Sequence, residues 1–347
     1  MHGSARDVWA EVQQWEAMPE TPEPLVIGTS GSTGEPKRVK LSRAAMRASA
    51  AATLNRLGGP GQWLVALDPS HIAGAQVLFR SAVAGVEPAF LDEHADLPAA
   101  VRAMSGSPRF VSLVPTQLAR LLSAEPDTDA LRAFDTILLG GAAVDPGLRE
   151  IAEREGLRIV ATYGMSETCG GCVYEGVTLD GVAVAVAADG RVRLSGPVLF
   201  DGYDGQPELT AQVLQDGWFL TSDFGRLDED GRLQVLGRVD DVVISGGVNV
   251  PTAVVAARVR EHADVRSAEV VGAHDPEWGQ RVVAVVVTRK ALDPSEIRSF
   301  VSERLPREWA PMQVVVVDEI PLLGNGKVDR LRLGELAEAG TTVEDLR

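Results

Sequence analysis

Residues 29–37 read Thr29-Ser30-Gly31-Ser32-Thr33-Gly34-Glu35-Pro36-Lys37. Glycines let a backbone come close to an anion, hydroxyls donate hydrogen bonds, and Lys37 supplies positive charge. Those are the parts of a phosphate cradle. The stretch is not a Walker A loop, which ends in Gly-Lys-Ser/Thr and runs directly into a helix. Here Lys37 follows Glu35-Pro36 and leads into Arg38–Leu41, which reads as a strand. The plain alternative is a flexible Gly/Ser linker. A single lysine placed behind a proline between two strands argues against that.

Outward from the loop, short β-rich runs alternate with helical stretches, the pattern of α/β architecture. Leu25–Thr29 reads as the strand before the loop. Ser42 reads as the N-cap of an Ala-rich helix that reaches Leu57 and stops at Gly58-Gly59. Residues 1–18 read as a short amphipathic helix and not as a signal peptide. Trp63–Leu67, Arg109–Val114, Thr136–Leu139 and Arg158–Thr162 read as strands, the last two buried. After Asp180, the turns Asp189-Gly190, Asp216-Gly217 and Asp230-Gly231 predict an antiparallel, barrel-like section. The remainder returns to mixed α/β. Its helices are expected at Thr252–Glu261 and Pro294–Arg304, and its strands at Ser267–Gly272, Arg281–Thr288 and Gln313–Val317. The domain boundary is expected in the turn Gly237–Asp241, giving domains 1–239 and 240–347.

Composition limits the partners. The 347 residues hold 33 Lys and Arg against 49 Asp and Glu, a formal net charge of −16. Such a chain is repelled by nucleic-acid phosphates and anionic membrane surfaces. No apolar run approaches the length of a membrane span. Two cysteines make no disulfide framework, which fits a reducing cytoplasm.

Further loops carry chemistry. Tyr163-Gly164-Met165-Ser166-Glu167-Thr168 follows a strand, where α/β folds bind ligands, and Glu167 could hold a hard cation such as Mg²⁺. In Thr221-Ser222-Asp223-Phe224-Gly225, the Asp223 carboxylate suits a vicinal diol, and Arg238 suits a phosphate or ribose. Gly324-Asn325-Gly326-Lys327 presents one lysine on a glycine loop. The spacing Cys169-Gly-Gly-Cys172 allows a redox pair or half a zinc site, but no second cysteine pair exists. A small-residue pocket wall is the simpler reading.

In this order the stretches TSGSTGEPK, GGA, YGMSET, TSDFGRL, GRVDDVVISGG and GNGK resemble the adenylate-forming superfamily of acyl-CoA synthetases, adenylation domains and luciferases. The resemblance runs from Leu25 to Asp329. It implies an α/β fold with a large N-terminal domain and a small mobile α+β C-terminal domain. It also implies ATP, Mg²⁺ and CoA as co-substrates of a small-molecule carboxylic acid. Thr29, Ser30, Gly31, Ser32, Thr33, Gly34 and Lys37 match the loop that grips the ATP phosphates. Gly140, Gly141, Ala142, Tyr163 and Gly164 match the adenine-binding segments. Glu167 matches the Mg²⁺ carboxylate, Thr168 a residue near the α-phosphate, and Asp223 with Arg238 the ribose pair. Asp240 matches the hinge. Lys327 matches the lysine used in adenylation, and Gly246 and Gly247 lie where the pantetheine of CoA passes.

Two departures stand out. Arg38 replaces the glycine usual after Pro-Lys, and the phosphate loop starts at residue 29, so most of the usual N-terminal subdomain is expected to be missing. Apolar surface left by such a truncation would be covered in a homodimer. Short members of this kind resemble actinobacterial o-succinylbenzoate–CoA ligases of menaquinone synthesis, as does the run Tyr163–Tyr174. By that resemblance His71, Gly164, Met165, Gly170 and Gly171 line the acyl pocket, with a planar ring admitted between the His71 helix and the Gly170-Gly171 loop. On the residues alone, His71 is equally a satisfied core histidine. The group that would meet the acid's second carboxylate is left open between His71, a backbone N–H and water.

Overall fold

The computed structural model describes residues 3–29, 37–239, 242–290, 292–322 and 328–340. Ser30–Gly34, Asp240 and Lys327 therefore lie outside the described residues. Along the chain the strands are β1 (Leu25–Gly28), β2 (Arg38–Leu41), β3 (Gln62–Val65), β4 (Ala89–Phe90), β5 (Arg109–Leu113), β6 (Thr136–Leu139), β7 (Ile159–Met165), β8 (Gly170–Tyr174), β9 (Val177–Thr178) and β10 (Ala183–Val186). They continue as β11 (Arg191–Ser195), β12 (Gly202–Tyr203), β13 (Leu214–Gln215), β14 (Trp218–Leu227), β15 (Leu233–Arg238), β16 (Val242–Ser245), β17 (Val248–Pro251), β18 (Val265–Asp275), β19 (Gly279–Thr288) and β20 (Gln313–Val316).

The chain divides into two compact units. The first takes in Met1–Ala185, Arg193–Thr221 and Leu227–Leu233. Its frame is a seven-stranded sheet in the order β4-β3-β5-β6-β7-β8-β9. The pairings from β4 through β7 are parallel, and β8 and β9 turn back antiparallel. A parallel sheet is covered on both faces, so its strands read as continuous apolar runs. Thr136–Leu139 is buried at all four positions for this reason. One face carries Leu97, Val101, Leu118, Leu131 and Ile137 in a single apolar cluster.

The other face carries α1 (Ala5–Ala17), α2 (Arg43–Arg56) and α3 (Ile72–Ala84). Ser4 and Asp7 cap the start of α1 reciprocally: the Ser4 side chain accepts from the Asp7 N–H, and the Asp7 carboxylate accepts from the Ser4 N–H. The Ser4 hydroxyl, which also donates to that carboxylate, and the Ser4 N–H hold the Asp7 carboxyl below its ordinary range. Ser42 caps α2 as expected, accepting from the Ala45 N–H at 3.3 Å. Arg43 donates to the carbonyls of Met18 and Glu20 just past α1. In α3 every residue from Gly74 to Ser81 is buried, so no face of its middle reaches water. Gly74 permits this: a Cβ there would stand 2.3 Å from the Asp68 carbonyl oxygen.

Two smaller sheets follow. β1, β2 and β12 pair in that order, antiparallel throughout. β10, β11, β14 and β13 make another, with β15 on β14. The expected barrel is instead an open sheet, because among the described residues β10 and β13 end it without meeting. The Asp-Gly turns are where the sequence puts them. Asp216 and Gly217 take φ of 51° and 77° between paired Gln215 and Trp218, a two-residue hairpin loop.

The second unit holds Val186–Val192, Ser222–Arg226 and Gln234–Arg347. Its sheet runs β17-β16-β19-β18, with β20 parallel on β19. The helices Thr252–Arg260 and Pro294–Ser302 cover one face through Val255, Val259, Ile297 and Val301. Leu333 and Ala337 of the helix Arg330–Ala339 cover the other.

Candidate active site

The site in the first unit grows from the neck of the phosphate loop. β1 and β2 are register partners from Leu25↔Leu41 to Gly28↔Arg38, which brings Thr29 to Lys37. The Thr29 N–H donates to the Lys37 carbonyl at 2.8 Å, and the Thr29 hydroxyl donates to the same oxygen at 3.3 Å. Next to the neck, the Arg38 guanidinium pairs with Asp204 at 3.1 Å. This is what occupies the position of the family's glycine.

The Lys37 ammonium stands 5.3 Å from the centre of the Tyr203 ring. Tyr203 reaches that place because β12 pairs with β2, Tyr203 opposite Val39. Its hydroxyl donates to Glu167 Oε1 at 2.8 Å. Glu167 is 9% exposed, in the one-turn helix Ser166–Thr168 after β7. The structure thus brings Lys37 and Glu167 to one tyrosine. As to a cation, one buried carboxylate suits Mg²⁺, which is usually held by one or two carboxylates together with substrate phosphates. It does not suit an all-protein metal centre, and no group of three or more His, Cys, Asp or Glu among the described residues could form one.

Thr168 is fully buried, its oxygen accepts from the Met165 N–H at 2.9 Å, and its hydroxyl donates to the Gly170 carbonyl at 2.8 Å. These bonds shape the loop that carries Glu167.

Tyr163, Gly164 and Met165 end β7, which runs past the expected end at Thr162 and is half-buried throughout. The extension follows from β8: Gly164 pairs with Gly171 and Met165 with Gly170. A Cβ on Gly164 would lie 2.1 Å from the Gly170 carbonyl oxygen, so only glycine permits this approach. Gly140 and Gly141 leave β6, with a Cβ on Gly140 meeting Thr162 Oγ1 at 2.7 Å, and Ala142 is exposed beside them.

Two features bear on the expected acyl pocket, one on the alternative left open for His71 and one on the space expected beside Gly170. His71 is not a core histidine: its side chain is 64% exposed at the N-cap of α3, with Nδ1 3.1 Å from Ser70 Oγ. Neighbouring Asp68 is held below the ordinary carboxylate range, chiefly by the Ser70 N–H. Nor does Gly170 leave a slot against α3. A Cβ there would meet Gln76 Cγ at 3.3 Å, so the two elements are packed together at that point. Gly171 is equally close to Tyr174 and Thr162. Cys169 and Cys172 are fully buried, and burial pushes both thiols up, Cys172 to about 12. They form an inert wall.

One buried charge was not anticipated from the sequence. Arg80 lies two and a half turns along α3 from His71 and is 4% exposed. Its described partners are the Ser112 and Tyr174 hydroxyls, both at 3.4 Å, and the Trp63 ring at 5.0 Å, and none is a carboxylate. Its Nε has no partner, nor does Gln76 Oε1 one turn away on the same helix face. Buried arginines are otherwise almost always paired with an anion. The signal was present in the sequence: Ile72–Ala84 is apolar nearly all round, so an arginine in its middle cannot reach water.

In the second unit, Asp223 is buried on β14, and the Arg238 guanidinium stands 3.7 Å from it at the end of β15. This joins the expected ribose pair. Gly246 and Gly247 are the two-residue turn between β16 and β17, with φ of 57° and 79°. The Gly246 N–H donates to the Trp278 carbonyl, and the half-exposed Trp278 ring lies so close that a Cβ on Gly246 would meet it at 2.4 Å.

Comparison with known proteins shows the family. A family described as AMP-binding enzyme matches residues 6–200, and one described as AMP-binding enzyme C-terminal domain matches residues 255–327. The probable 2-succinylbenzoate–CoA ligase of Mycobacterium tuberculosis is 42% identical over 319 residues, which span 89% of this chain and 83% of that protein. The 2-succinylbenzoate–CoA ligase of Listeria monocytogenes is 32% identical, over 89% of this chain and 69% of its own. Among solved structures, the o-succinylbenzoate CoA synthetase of Bacillus subtilis in complex with the acyl-adenylate intermediate OSB-AMP superposes with a TM-score of 0.76. It is 28% identical, over 90% of this chain and 70% of that one. The same enzyme has been solved with ATP and magnesium ion.

Proposed function

We propose that this chain, which belongs to the AMP-binding enzyme family, joins o-succinylbenzoate to CoA in menaquinone synthesis, through an acyl-adenylate made from ATP. The relatives supply the acid. The observation that carries it in this chain is Arg80, a buried guanidinium without a carboxylate. o-Succinylbenzoate has two carboxylates. One is activated, and the other must be satisfied inside the protein, because a buried unpaired charge costs several kcal/mol. Arg80 and that carboxylate satisfy each other.

In the first half-reaction the aliphatic carboxylate attacks the α-phosphorus of ATP and pyrophosphate leaves. Thr29, the 30–34 loop and Lys37 bind the phosphates, Glu167 holds the cation, and Lys327 approaches the reacting phosphate. A bound Mg²⁺ supplies charge neutralisation at the phosphate oxygens. Asp223 and Arg238 hold the ribose, and Gly140, Gly141, Ala142, Tyr163 and Gly164 flank the adenine. In the second half-reaction the domain from 240 onward turns about Asp240, and the CoA thiol, entering past Gly246 and Gly247, attacks the acyl carbon of the mixed anhydride; the C–S bond forms as the acyl C–O bond breaks, AMP leaves, and the thiol proton passes to solvent. That anhydride is already activated, so positioning is the protein's main task and no enzyme nucleophile is required. A cytoplasmic location, on the two cysteines that make no disulfide framework, and a homodimer complete the proposal.

The test is a panel of carboxylic acids with ATP and CoA, scored by AMP release. o-Succinylbenzoate should exceed benzoate and medium-chain fatty acids by at least roughly tenfold in kcat/KM. Equal turnover of a monocarboxylic acid would remove the assignment of the acid and leave only a general acyl-CoA ligase.

A further inference from the structure

We propose that Tyr203 is a positioning residue that couples the lysine of the phosphate loop to the cation-binding carboxylate; this rests on the ATP and Mg²⁺ reading of the site. The side chain makes two contacts at once. Its hydroxyl donates to Glu167 Oε1 at 2.8 Å, and the face of its ring receives the Lys37 ammonium at 5.3 Å. It is also fixed in place. The residue is 4% exposed, its ring meets Phe200 edge-on at 5.0 Å, and its N–H donates to Thr210 Oγ1 at 2.9 Å.

Each contact strengthens the other. A phenol that donates to a carboxylate becomes richer in electrons, and a richer ring attracts an ammonium more strongly. With one oxygen held by Tyr203, Glu167 keeps a single orientation and offers its second oxygen in a set direction. Partners of this kind tune metal affinity although they never touch the metal. Lys37 meets the face of this ring and Glu167 its hydroxyl. Among the described salt bridges no Lys37–Glu167 pair occurs, so the carboxylate keeps its charge for a cation and the ammonium keeps its charge for phosphate. Nucleotide phosphates and their cation therefore meet two groups whose geometry is set by one side chain.

The experiment compares ATP affinity, by calorimetry with a non-hydrolysable analogue, in Mg²⁺ and in a chelator. Tyr203→Phe keeps the ring and its packing and loses only the hydroxyl. It should lower the gain in affinity that Mg²⁺ confers by about tenfold, with chelator-condition affinity at its wild-type value and the melting temperature lowered by no more than a few degrees, because the buried Glu167 loses its partner. Tyr203→Leu removes the ring as well, and should weaken binding in chelator too, through Lys37. A Tyr203→Phe protein that keeps the full Mg²⁺ gain overturns the coupling, and so does one that loses affinity equally in both conditions, which is the mark of a merely structural role. Glu167→Gln serves as the reference. If it leaves the Mg²⁺ gain intact, the cation site itself is misplaced, and the coupling falls with it for a reason the tyrosine variants alone would not reveal.

Discussion

Replacing Arg80 by methionine should separate stability from activity in opposite directions. The guanidinium is buried among Ser112, Tyr174 and Trp63, with two hydrogen bonds at 3.4 Å and one unpartnered nitrogen. Without substrate, nothing described there offsets the desolvation of the charge, which in proteins amounts to several kcal/mol per ion. The favourable contacts forgone are the ring contact, worth about 0.5–2 kcal/mol, and two long hydrogen bonds at about 1 kcal/mol or less each. Methionine fills much of the same volume without charge. The unliganded variant should therefore melt within a few degrees of the wild type or above it, since 1 kcal/mol corresponds to about 2–4 °C in a domain of this size.

Activity should move the other way. With Arg80 gone, the second carboxylate of o-succinylbenzoate enters without its counter-ion. Breaking one side of a buried pair costs about 3–5 kcal/mol, or roughly two to nearly four orders of magnitude in kcat/KM. A monocarboxylic analogue lacks that group and should lose no more than a few-fold. Thermal melts and steady-state kinetics with both acids decide the matter. Equal losses for the two acids would refute the reasoning, and so would destabilisation beyond about 3 kcal/mol, because then Arg80 serves the fold and not the substrate.

The Ser42 cap, the buried strand Thr136–Leu139 and the Asp-Gly turns were legible because each is decided by a few adjacent residues. Capping needs one hydroxyl, and a two-residue hairpin needs positive φ twice. What the sequence hid depends on partners far along the chain. β7 continues to Met165 only because Gly170 and Gly171 return beside it. The bond from the Thr168 hydroxyl to the Gly170 carbonyl follows from the same return of the chain. Tyr203 belongs to no motif that the sequence marks out. Its importance comes from β12 pairing with β2, some 160 residues upstream, and no local pattern announces that. Arg80 is the intermediate case. Its helix is visibly apolar all round, yet a lone arginine invites the assumption that its charge reaches solvent.

Two other substitutions or probes test the geometry of the site. Gly164→Ala places a methyl group 2.1 Å from the Gly170 carbonyl oxygen, so the β7–β8 pair must part. Chemical denaturation should show a loss of about 3 kcal/mol or more, as for overpacking against rigid backbone; a loss under about 1 kcal/mol would mean that the two strands separate easily. The last concerns the cysteines. Burial raises both thiols, Cys172 to about 12 from an ordinary 9.0, and the thiolate is the reactive form. At pH 8 an alkylating reagent should label neither cysteine in the native protein and both in denaturant, read by mass spectrometry. The same shift fixes a sign for stability. Below pH 9 both states hold the thiol protons and the full contribution is present. Between about 9 and 12 the unfolded chain releases them while the folded chain keeps them, so the stability from these groups falls as pH rises. Replacing both cysteines by alanine should flatten the decline over that window. A slope unchanged by the replacement, or rapid native labelling, would show that the thiols are reached by water and that the loop after Glu167 is open where its buried hydrogen bonds require it to be closed.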